Sequence, residues 1–443
     1  MLFDRIRHQF DNHGSYHRRI AIGFLWVGLF VIVGKLAGAA KEMAIAWRYG
    51  VSDKVDAYVF VVNLISFPVS IWFSVLTVIL LPLAARVRYL NPETLPRFRG
   101  ELLGLTLATG AVLGGLAYYC LPLLLASGWA GFSGAALEQA LAMAGPLSFL
   151  LPMGLTISLF SSWMMVNGHH RNTLLEALPA LVILGMLLLP QSWVIEPLIW
   201  GSLAGFVLQM AGLCWALQRD GELQHPMLGF QSPVWHGFWS CFAIMVAGHA
   251  MMSGTGTIDQ FFAAHLEAGA ISTLSYANRI ISLIVALGAL TISRSILPIF
   301  SELAGQGKDS EIDEMTRQWV RFMFVLGLIV MAVAWTLAPW AVKTLFERGA
   351  FTPSNTSDVT VAFQFGSIQL PFCFAALVLT SMLASQKEYK TLAIIGILSM
   401  AVKILFNIIL TPYLNINGLM ISTTLMYVGS FTFLHFSVRK KLI

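Results

Sequence analysis

Twelve stretches of this 443-residue chain are long and apolar enough to cross a lipid bilayer. A spanning helix needs roughly 20 mainly apolar residues, and such stretches are centred near residues 30, 70, 113, 154, 182, 206, 250, 286, 333, 372, 403 and 428. Charged residues make up only 11% of the chain, against roughly 25% in soluble domains. The sequence therefore predicts an all-α polytopic membrane protein with about 12 transmembrane helices, and no polar stretch is long enough to form a soluble domain.

Four landmarks in the first half recur in the second half at an offset of 216 to 219 residues. They are Ile79-Leu80-Leu81-Pro82 with Ser295-Ile296-Leu297-Pro298, Leu121-Pro122 with Ala338-Pro339, Leu151-Pro152 with Leu370-Pro371, and Asn172-Thr173-Leu174 with Lys390-Thr391-Leu392. We therefore expect two six-helix repeats, an N-lobe at 20–217 and a C-lobe at 235–438, joined by a cytoplasmic linker at 218–234 and flanked by basic ends at 1–19 and 439–443. Same-direction repeats place the substrate between two halves, which predicts a transporter that works by alternating access.

Basic residues alternate between the loops. They are frequent before the first span, after the second span, in later even-numbered loops and at the C-terminus, and scarce in the intervening loops. The positive-inside rule then places both termini in the cytoplasm. This alternation accounts for the net charge of +5, so no nucleic-acid partner is expected. The apolar run from Ile20 onward is too long for a typical signal peptide, and we expect the first span to be retained.

Sequence motifs of catalytic and metal sites are missing. The four cysteines lie in apolar segments without C-x-x-C spacing, which favours small core residues over a disulfide or a metal site. No H-E-x-x-H, G-x-S-x-G or P-loop pattern occurs. We expect no enzyme activity, no catalytic residue, no metal site and no cofactor, except a coupling cation that could be Na⁺ or H⁺.

Three carboxylates lie in or beside predicted spans, where ionisable groups are costly and usually face a cavity or a partner. Glu42 and Asp259 are equivalent under the repeat, each near the outer end of the first helix of its half. Asp56 lies near the start of the second span and could pair with Lys35 or Lys41. Each carboxylate is a candidate for binding a coupling cation. A static ion pair for Asp56, and an interfacial position for the other two, are equally open.

Arg279 is the clearest candidate for binding an anion. It follows Tyr276, Ala277 and Asn278 and leads directly into the apolar run 280–290. A guanidinium group is always charged and matches phosphate oxygens with two parallel hydrogen bonds. A cationic lining for a diphosphate group would consist of Arg279, Lys35, Lys41 and Lys403, and Asn278 is a further candidate for binding the substrate. The alternative is that these cations snorkel to the membrane interface, and for Lys403 the sequence favours neither interpretation.

The stretches around these charges follow a family pattern. They are Gly34-Lys35-Leu36-Ala37-Gly38, Lys41-Glu42, Tyr49-Gly50, Asp56-Ala57-Tyr58, Tyr276-Ala277-Asn278-Arg279, Ile296-Leu297-Pro298 and Leu345-Phe346-Glu347-Arg348-Gly349-Ala350-Phe351-Thr352. Together they resemble the lipid II flippase family (MurJ/MviN-like) of the multidrug/oligosaccharidyl-lipid/polysaccharide (MOP) exporter superfamily. The resemblance implies a MATE-like V-shaped bundle that moves an undecaprenyl-diphosphate-linked glycan across the bacterial inner membrane. It places Arg279, Lys35 and Lys41 at family arginine positions and Asp56 at a family aspartate, while Asn278 replaces an acidic residue.

Two departures from the family pattern bear on the substrate. Residues 67–74 carry no charge where lipid II flippases have an arginine and a glutamate, and those flippases have two more spans than the twelve expected here. The departures favour an exopolysaccharide or O-antigen repeat unit over lipid II, carried by a monomer that contacts membrane lipids and polysaccharide assembly proteins. Two rivals stay open. The basic lining disfavours a cation-coupled multidrug exporter of the same superfamily, and the short outer loops disfavour a polymerase or ligase.

Overall fold

The structure is a computed structural model that describes residues 33–441, except 91, 167–173, 191, 297–298, 301–302, 304–305, 307–308 and 387. All regular elements in this part of the chain are helices, which confirms the predicted all-α class. The predicted basic N-terminus and the centre of the first predicted span lie outside the described residues. So do landmark residues 172–173 and 297–298.

The helices are numbered here in chain order. They are α1 (33–49), α2 (Asp53–Leu90), α3 (Leu95–Ala126), α4 (Gly134–Ser148), α5 (Leu150–Val166), α6 (Leu178–Leu188), α7 (Pro197–Arg219), α8 (Val234–Ala263), α9 (Ala270–Ser295), α10 (Asp309–Phe346), α11 (Pro353–Ser367), α12 (Leu370–Ser385) and α13 (Tyr389–Lys441).

Six helices of the described chain are long and apolar enough to cross a membrane, or up to eight if each of two bent helix pairs counts as one span. The helix α13 counts once, although it breaks at Asn415, where φ is 50° and ψ is −130°. Its first arm (389–414) and second arm (416–441) correspond to the two spans predicted near residues 403 and 428.

The sequence repeat reappears as a repeated packing arrangement. The helices α4 and α5 are bent by 44° at their junction, and α11 and α12 by 42°. A proline, Pro152 or Pro371, lies close to the start of the second helix of each pair, where its missing N–H is tolerated. A Cβ atom on Gly110 would lie 3.0 Å from Pro152 Cα, and one on Gly327 would lie 2.5 Å from Pro371 Cα. Because the two glycines are also related by the repeat offset, each half contains the same close glycine–proline contact.

The chain forms two compact units. The first consists of Met1–Ala44, Pro68–Tyr118 and Pro146–Ala243, and the second of Ile45–Phe67, Tyr119–Gly145 and Ile244–Ile443. Within the first unit, α7 packs against α5 and α6. Within the second unit, α12 packs against α9, α10 and α13, and α11 packs against the same three helices. The division into an N-lobe and a C-lobe stays a prediction.

Candidate functional site

A buried ion pair in the second unit joins α8 to the first arm of α13. Asp259 Oδ1 accepts a hydrogen bond from Lys403 Nζ at 2.7 Å and another from Asn407 Nδ2 at 3.0 Å. The lysine side chain is 0% exposed and the aspartate side chain 8% exposed. Salt screens such a buried pair far less than it screens a surface pair. Asp259, a predicted coupling-cation residue, therefore already has a cationic partner within the protein.

The ammonium group of Lys403 is fully hydrogen-bonded. An ammonium has three N–H groups and no acceptor, and three acceptors surround this one. They are Asp259 Oδ1, the backbone oxygen of Leu419 at 2.9 Å, and Thr423 Oγ1. In this arrangement no N–H is left for a phosphate oxygen. A substrate-binding role for Lys403 stays a prediction, and it would require one of these bonds to open.

Helical spacing brings these groups together. Lys403 and Asn407 are four residues apart on the first arm of α13, and Leu419 and Thr423 are four apart on the second arm. Residues at this spacing lie on the same face of a helix. The break at Asn415 allows the second arm to run back beside the first, so that one face of each arm meets at the ammonium.

The two arms of α13 are in close contact at the break and farther along. A Cβ atom on Gly418 would lie only 2.6 Å from the backbone oxygen of Leu410. Farther from the break, Ser399 Oγ and Ser430 Oγ are 2.6 Å apart and share a hydrogen bond. A larger residue at position 418 would force the arms apart and move the acceptors of Lys403.

Asp56 is held by the start of α9. Its Oδ2 accepts the N–H of Gly269 at 2.8 Å, and its Oδ1 accepts the N–H of Ser272 at 2.7 Å. The first turn of a helix has unpaired N–H groups and a partial positive charge, so a buried carboxylate is stabilised there. Gly269 has a φ of 88°, a backbone conformation that glycine adopts at no steric cost. Asp56 thus caps the N-terminus of α9 from a distant part of the sequence. Its role in binding a coupling cation stays a prediction.

Three further predicted site residues lie on α1, in the first unit. Glu42 Oε1 lies 2.9 Å from Lys41 Nζ, and their side chains are 7% and 17% exposed. Lys35 is exposed. Glu42 and Asp259 are equivalent in sequence, but Glu42 pairs with the residue beside it, whereas Asp259 pairs with a lysine from a distant helix.

Arg279 lies on the exposed surface of α9, and Asn278 is half-buried. The preceding residues point into the protein, since Tyr276 is 1% exposed and Ala277 0%. The Tyr276 hydroxyl donates a hydrogen bond to the backbone oxygen of Gly50 at 3.0 Å. This anchor fixes the rotation of α9 and thereby directs Arg279 outward.

An apolar groove of about 430 Å³ lies farther along α9 in the second unit. The helices α9, α10 and α12 line it, with Ile284, Leu287, Gly288, Met323 and Phe374 among the lining residues. Leu287 is 69% exposed, although it is large and apolar. The same helix therefore carries an exposed cation and one wall of an apolar groove.

Glu101, in α3 of the first unit, was missed by the sequence patterns. Its carboxylate accepts the backbone N–H groups of Gln231 and Ser232, both at 3.1 Å, and the indole N–H of Trp235 at 2.6 Å. Arg97 Nε lies 3.2 Å away, and the Glu101 side chain is 3% exposed. These contacts fasten the start of α8 to α3. Glu101 ends a polar stretch of the sequence, which hid its position inside a helix whose remainder is apolar.

The predicted linker at 218–234 also lies along α3. The N–H of Met227 donates to the backbone oxygen of Gly100 at 2.9 Å. A Cβ atom on Gly104 would lie 2.1 Å from the backbone oxygen of Met227, so only glycine allows this approach. Arg99 forms an ion pair with Glu222 of the same segment. The linker therefore belongs to the first unit and packs against α3.

The polar contacts of these sites are ion pairs and hydrogen bonds. Within the described ranges, no three His, Cys, Asp or Glu side chains come together to hold a metal ion. The buried carboxylates are engaged by a lysine or by N–H groups. Such contacts can be exchanged for those of an ion or an anionic ligand.

The sequence is similar to one family of known proteins. A family model described as "Lipid II flippase MurJ" matches residues 45–443. The probable lipid II flippase MurJ of Bdellovibrio bacteriovorus is 24% identical over 250 residues, which is 55% of this chain and 48% of that protein. The Vibrio cholerae protein of the same name is 27% identical over 231 residues, 51% of this chain and 42% of that protein. The chain spans about half the length of the curated relatives it matches.

Solved structures with the same fold include transporters of two kinds. A lipid II flippase MurJ in an inward closed conformation has a TM-score of 0.82 at 18% identity, over 94% of this chain and 87% of that chain. An inward-facing multidrug resistance MATE transporter of the MOP superfamily has a TM-score of 0.76 at 13% identity, over 92% of this chain and 94% of that chain. At these identities the likeness carries the fold alone, and it confirms the MOP fold that the sequence resemblance implied.

Proposed function

Because this chain belongs to the lipid II flippase MurJ family, we propose that it moves a polyprenyl-diphosphate-linked glycan across the bacterial inner membrane by alternating access. The substrate would be a lipid II-like precursor, in which a long apolar chain carries a diphosphate and sugars. The proposed activity is transport and involves no enzymatic step. Both termini would lie in the cytoplasm, as the distribution of basic residues predicts.

The surface of α9 is the observation that carries this proposal. Arg279 is exposed on it, and Leu287 of the apolar groove follows eight residues later, which is about 12 Å along a helix. A diphosphate needs a cation, and the polyprenyl chain attached to it needs an apolar surface close by. One helix offers both at a spacing that suits a single molecule. Guanidinium also binds phosphate oxygens in pairs, which favours a diphosphate over a sugar hydroxyl.

We further propose that Asn278, beside Arg279 on α9, and Lys35 and Lys41, on α1 of the first unit, take part in substrate binding. Lys35 is exposed, and Lys41 shares its charge with Glu42. Lysine acts on phosphate as a compact point charge, without the planar fork of arginine. These lysines would therefore attract the diphosphate, whereas Arg279 would orient it. Asn278 would donate to or accept from the sugar next to the diphosphate.

The uncharged segment 67–74 of α2 supports a second candidate of the same chemical class. That candidate is an undecaprenyl-diphosphate-linked repeat unit of exopolysaccharide or O-antigen, handled with polysaccharide assembly proteins. Both candidates combine a diphosphate with an apolar chain, so Arg279 and the groove would serve either one. They differ in the sugars.

The proposed transport cycle requires substrate to bind one arrangement of the carrier better than the other. The anionic head group would do so if its contact with Arg279 formed in only one of the two arrangements. A coupling cation, Na⁺ or H⁺, at Asp56 or Glu42 would then favour the return step. We propose that a monomer suffices, because each half supplies its own charges.

Complementation in two bacterial strains tests the substrate. The chain is expressed in a strain depleted of its own lipid II flippase and, separately, in a strain that lacks its O-antigen or exopolysaccharide flippase. Survival of the first strain is expected for a lipid II-like substrate, and polymer export by the second alone would favour the repeat unit. Rescue of neither strain, at good membrane expression, would count against both candidates.

Arg279 variants test the role of the guanidinium in the strain that is rescued. Arg279→Ala should abolish rescue, and Arg279→Lys should restore part of it, because charge returns without the planar fork. Arg321→Ala, which removes an exposed arginine of α10, is the matched control and should rescue normally. Full rescue by Arg279→Ala at equal expression would remove the assigned role.

A further inference from the structure

The structure brings together two residues for which the sequence predicts separate functions. Asp259 is a candidate for binding a coupling cation and Lys403 for binding the substrate, yet the two form one buried pair. We propose that the Lys403 ammonium is a tethered cation. It fills a monovalent-cation site formed by oxygen atoms of α8 and α13, and for that reason no free Na⁺ or K⁺ binds there in this chain.

The oxygen atoms around the ammonium are those that suit a small monovalent cation. They comprise one carboxylate oxygen of Asp259 at 2.7 Å, one backbone oxygen of Leu419 at 2.9 Å and the hydroxyl of Thr423. Backbone carbonyl oxygens can replace the water shell of an alkali cation. Asn407 adds a buried carboxamide whose oxygen has no hydrogen-bond partner among the described residues. Among these described ligands Asp259 supplies the one carboxylate, which balances a single positive charge.

A tethered cation excludes a free one for two reasons. The lysine side chain is 0% exposed, and its ammonium already occupies the space between Asp259 Oδ1, the backbone oxygen of Leu419 and Thr423 Oγ1, so a second cation could not reach the same three ligands. A second positive charge beside the ammonium would also be repelled strongly, because the interior screens charges poorly. The lysine is part of the chain and cannot diffuse away, so the site stays filled whatever the salt composition.

This inference bears on the transport cycle. If the chain is the flippase proposed above, a free cation does not drive it at Asp259, which leaves Asp56 and Glu42 as the carboxylates for coupling. This consequence rests on the proposed function. The cation site itself does not, since it can be measured on the purified protein without substrate or transport.

Thermal unfolding of the purified full chain in detergent tests the proposal. Tryptophan fluorescence is followed in NaCl, KCl or N-methyl-D-glucamine chloride at equal ionic strength. The wild type and Lys343→Ala, which removes a lysine that is 68% exposed, should melt at one temperature in all three salts. Lys403→Ala empties the site, so its Tm should rise saturably with Na⁺ or K⁺, by about 2 to 4 °C, because a ligand of the folded state stabilises it.

A double variant shows whether the new cation occupies the same place. In Asp259→Asn/Lys403→Ala the carboxylate is gone, and the dependence of Tm on Na⁺ or K⁺ should disappear. If Lys403→Ala does not fold, Lys403→Gln keeps most of the side-chain volume, removes the charge and should acquire the same dependence. A transport assay that fails to show flippase activity would leave these melting results unchanged.

Two results would overturn the proposal. One is a wild-type Tm that depends on Na⁺ or K⁺ and loses this dependence in Asp259→Asn, because a free cation would then bind beside the lysine. The other is a folded Lys403 variant whose Tm is the same in all three salts, because the oxygen atoms would then not form a cation site.

Discussion

Asp259 and Asp56 are buried aspartates of the same unit that are neutralised in different ways. Asp259 faces a full positive charge on Lys403 at 2.7 Å. Asp56 is held instead by uncharged donors at the start of α9, which are the N–H groups of Gly269 and Ser272 and the side chain of Ser272. Removing Asp259 leaves the opposite charge of Lys403 buried without compensation, whereas removing Asp56 leaves only uncharged donors. Substituting a buried aspartate should therefore cost more stability when its partner is an ion than when its partner is a helix end.

Asp259→Asn should cause the largest loss of stability. The substitution leaves the Lys403 ammonium buried without an anion, and breaking a buried pair in this way typically costs about 3–5 kcal/mol. Unfolding of the purified protein by heat or by denaturing detergent measures the loss. The double variant Asp259→Asn/Lys403→Met removes both charges and should regain most of it. A double variant less stable than the single one would contradict the ion-pair account.

Asp56→Ala should cost less, about 2–3 kcal/mol, because two N–H donors lose a charged acceptor. Amide hydrogen exchange at Gly269 and Ser272 should speed up in this variant. Asp56→Asn keeps one acceptor oxygen and should lie between Asp56→Ala and the wild type. A loss as large as that of Asp259→Asn would mean that Asp56 neutralises a buried cation, and the comparison would fail.

Glu101→Gln extends the comparison to the first unit and should cost about 1–2 kcal/mol. The amide can still accept one hydrogen bond but no longer balances Arg97 or accepts all three N–H groups. Because Trp235 donates its indole N–H to Glu101, the tryptophan emission should also shift. Glu93→Gln, on the exposed turn before α3, is the control and should change neither quantity. Unchanged emission from Glu101→Gln would argue against the Trp235 contact.

Thr352→Ala should have the smallest effect, about 1 kcal/mol. The start of α11 is capped locally and without charge, since Thr352 Oγ1 accepts the N–H of Asn355 at 3.3 Å and Asn355 Oδ1 accepts the N–H of Thr352 at 2.9 Å. The cap at α9 comes instead from a carboxylate more than two hundred residues away. Thermal unfolding of Thr352→Ala and Thr352→Ser gives the size of the local cap, with serine close to wild type. A loss greater than that of Asp56→Ala would reverse the order of the two caps.

Part of the fold could be predicted because it depends on patterns along the chain. The repeat offset pairs Pro152 with Pro371, and both lie where a bent helix pair packs against a glycine. The stretch from Tyr276 to Arg279 stood out in the sequence because an arginine precedes an apolar run. In the structure its tyrosine is buried and its arginine is exposed. Whether Arg279 binds substrate stays a prediction.

The partners of the buried charges could not be predicted. Lys403 could line a cavity or reach the interface, because a span that is apolar on all sides does not reveal which face points inward. Asp259 and Lys403 lie on helices that are far apart in the sequence but adjacent in space. The lysine also depends on the break at Asn415, which brings Leu419 beside it. Glu101 was missed for a related reason. The first backbone N–H group that its carboxylate accepts from the start of α8 lies 130 residues later in the chain.

The sequence by itself determined that this is a duplicated helical membrane protein, that it resembles one transporter family, and that a small set of charges lies within its spans. Length, hydropathy and repetition are properties of the chain read in order, so they need no knowledge of packing. Only the tertiary structure decided which charge meets which: Asp259 with Lys403, Asp56 with the start of α9, and Glu101 with the start of α8. Those pairings depend on the rotation of each helix about its axis and on distances of about 3 Å, and in uniformly apolar spans neither can be read from the order of residues.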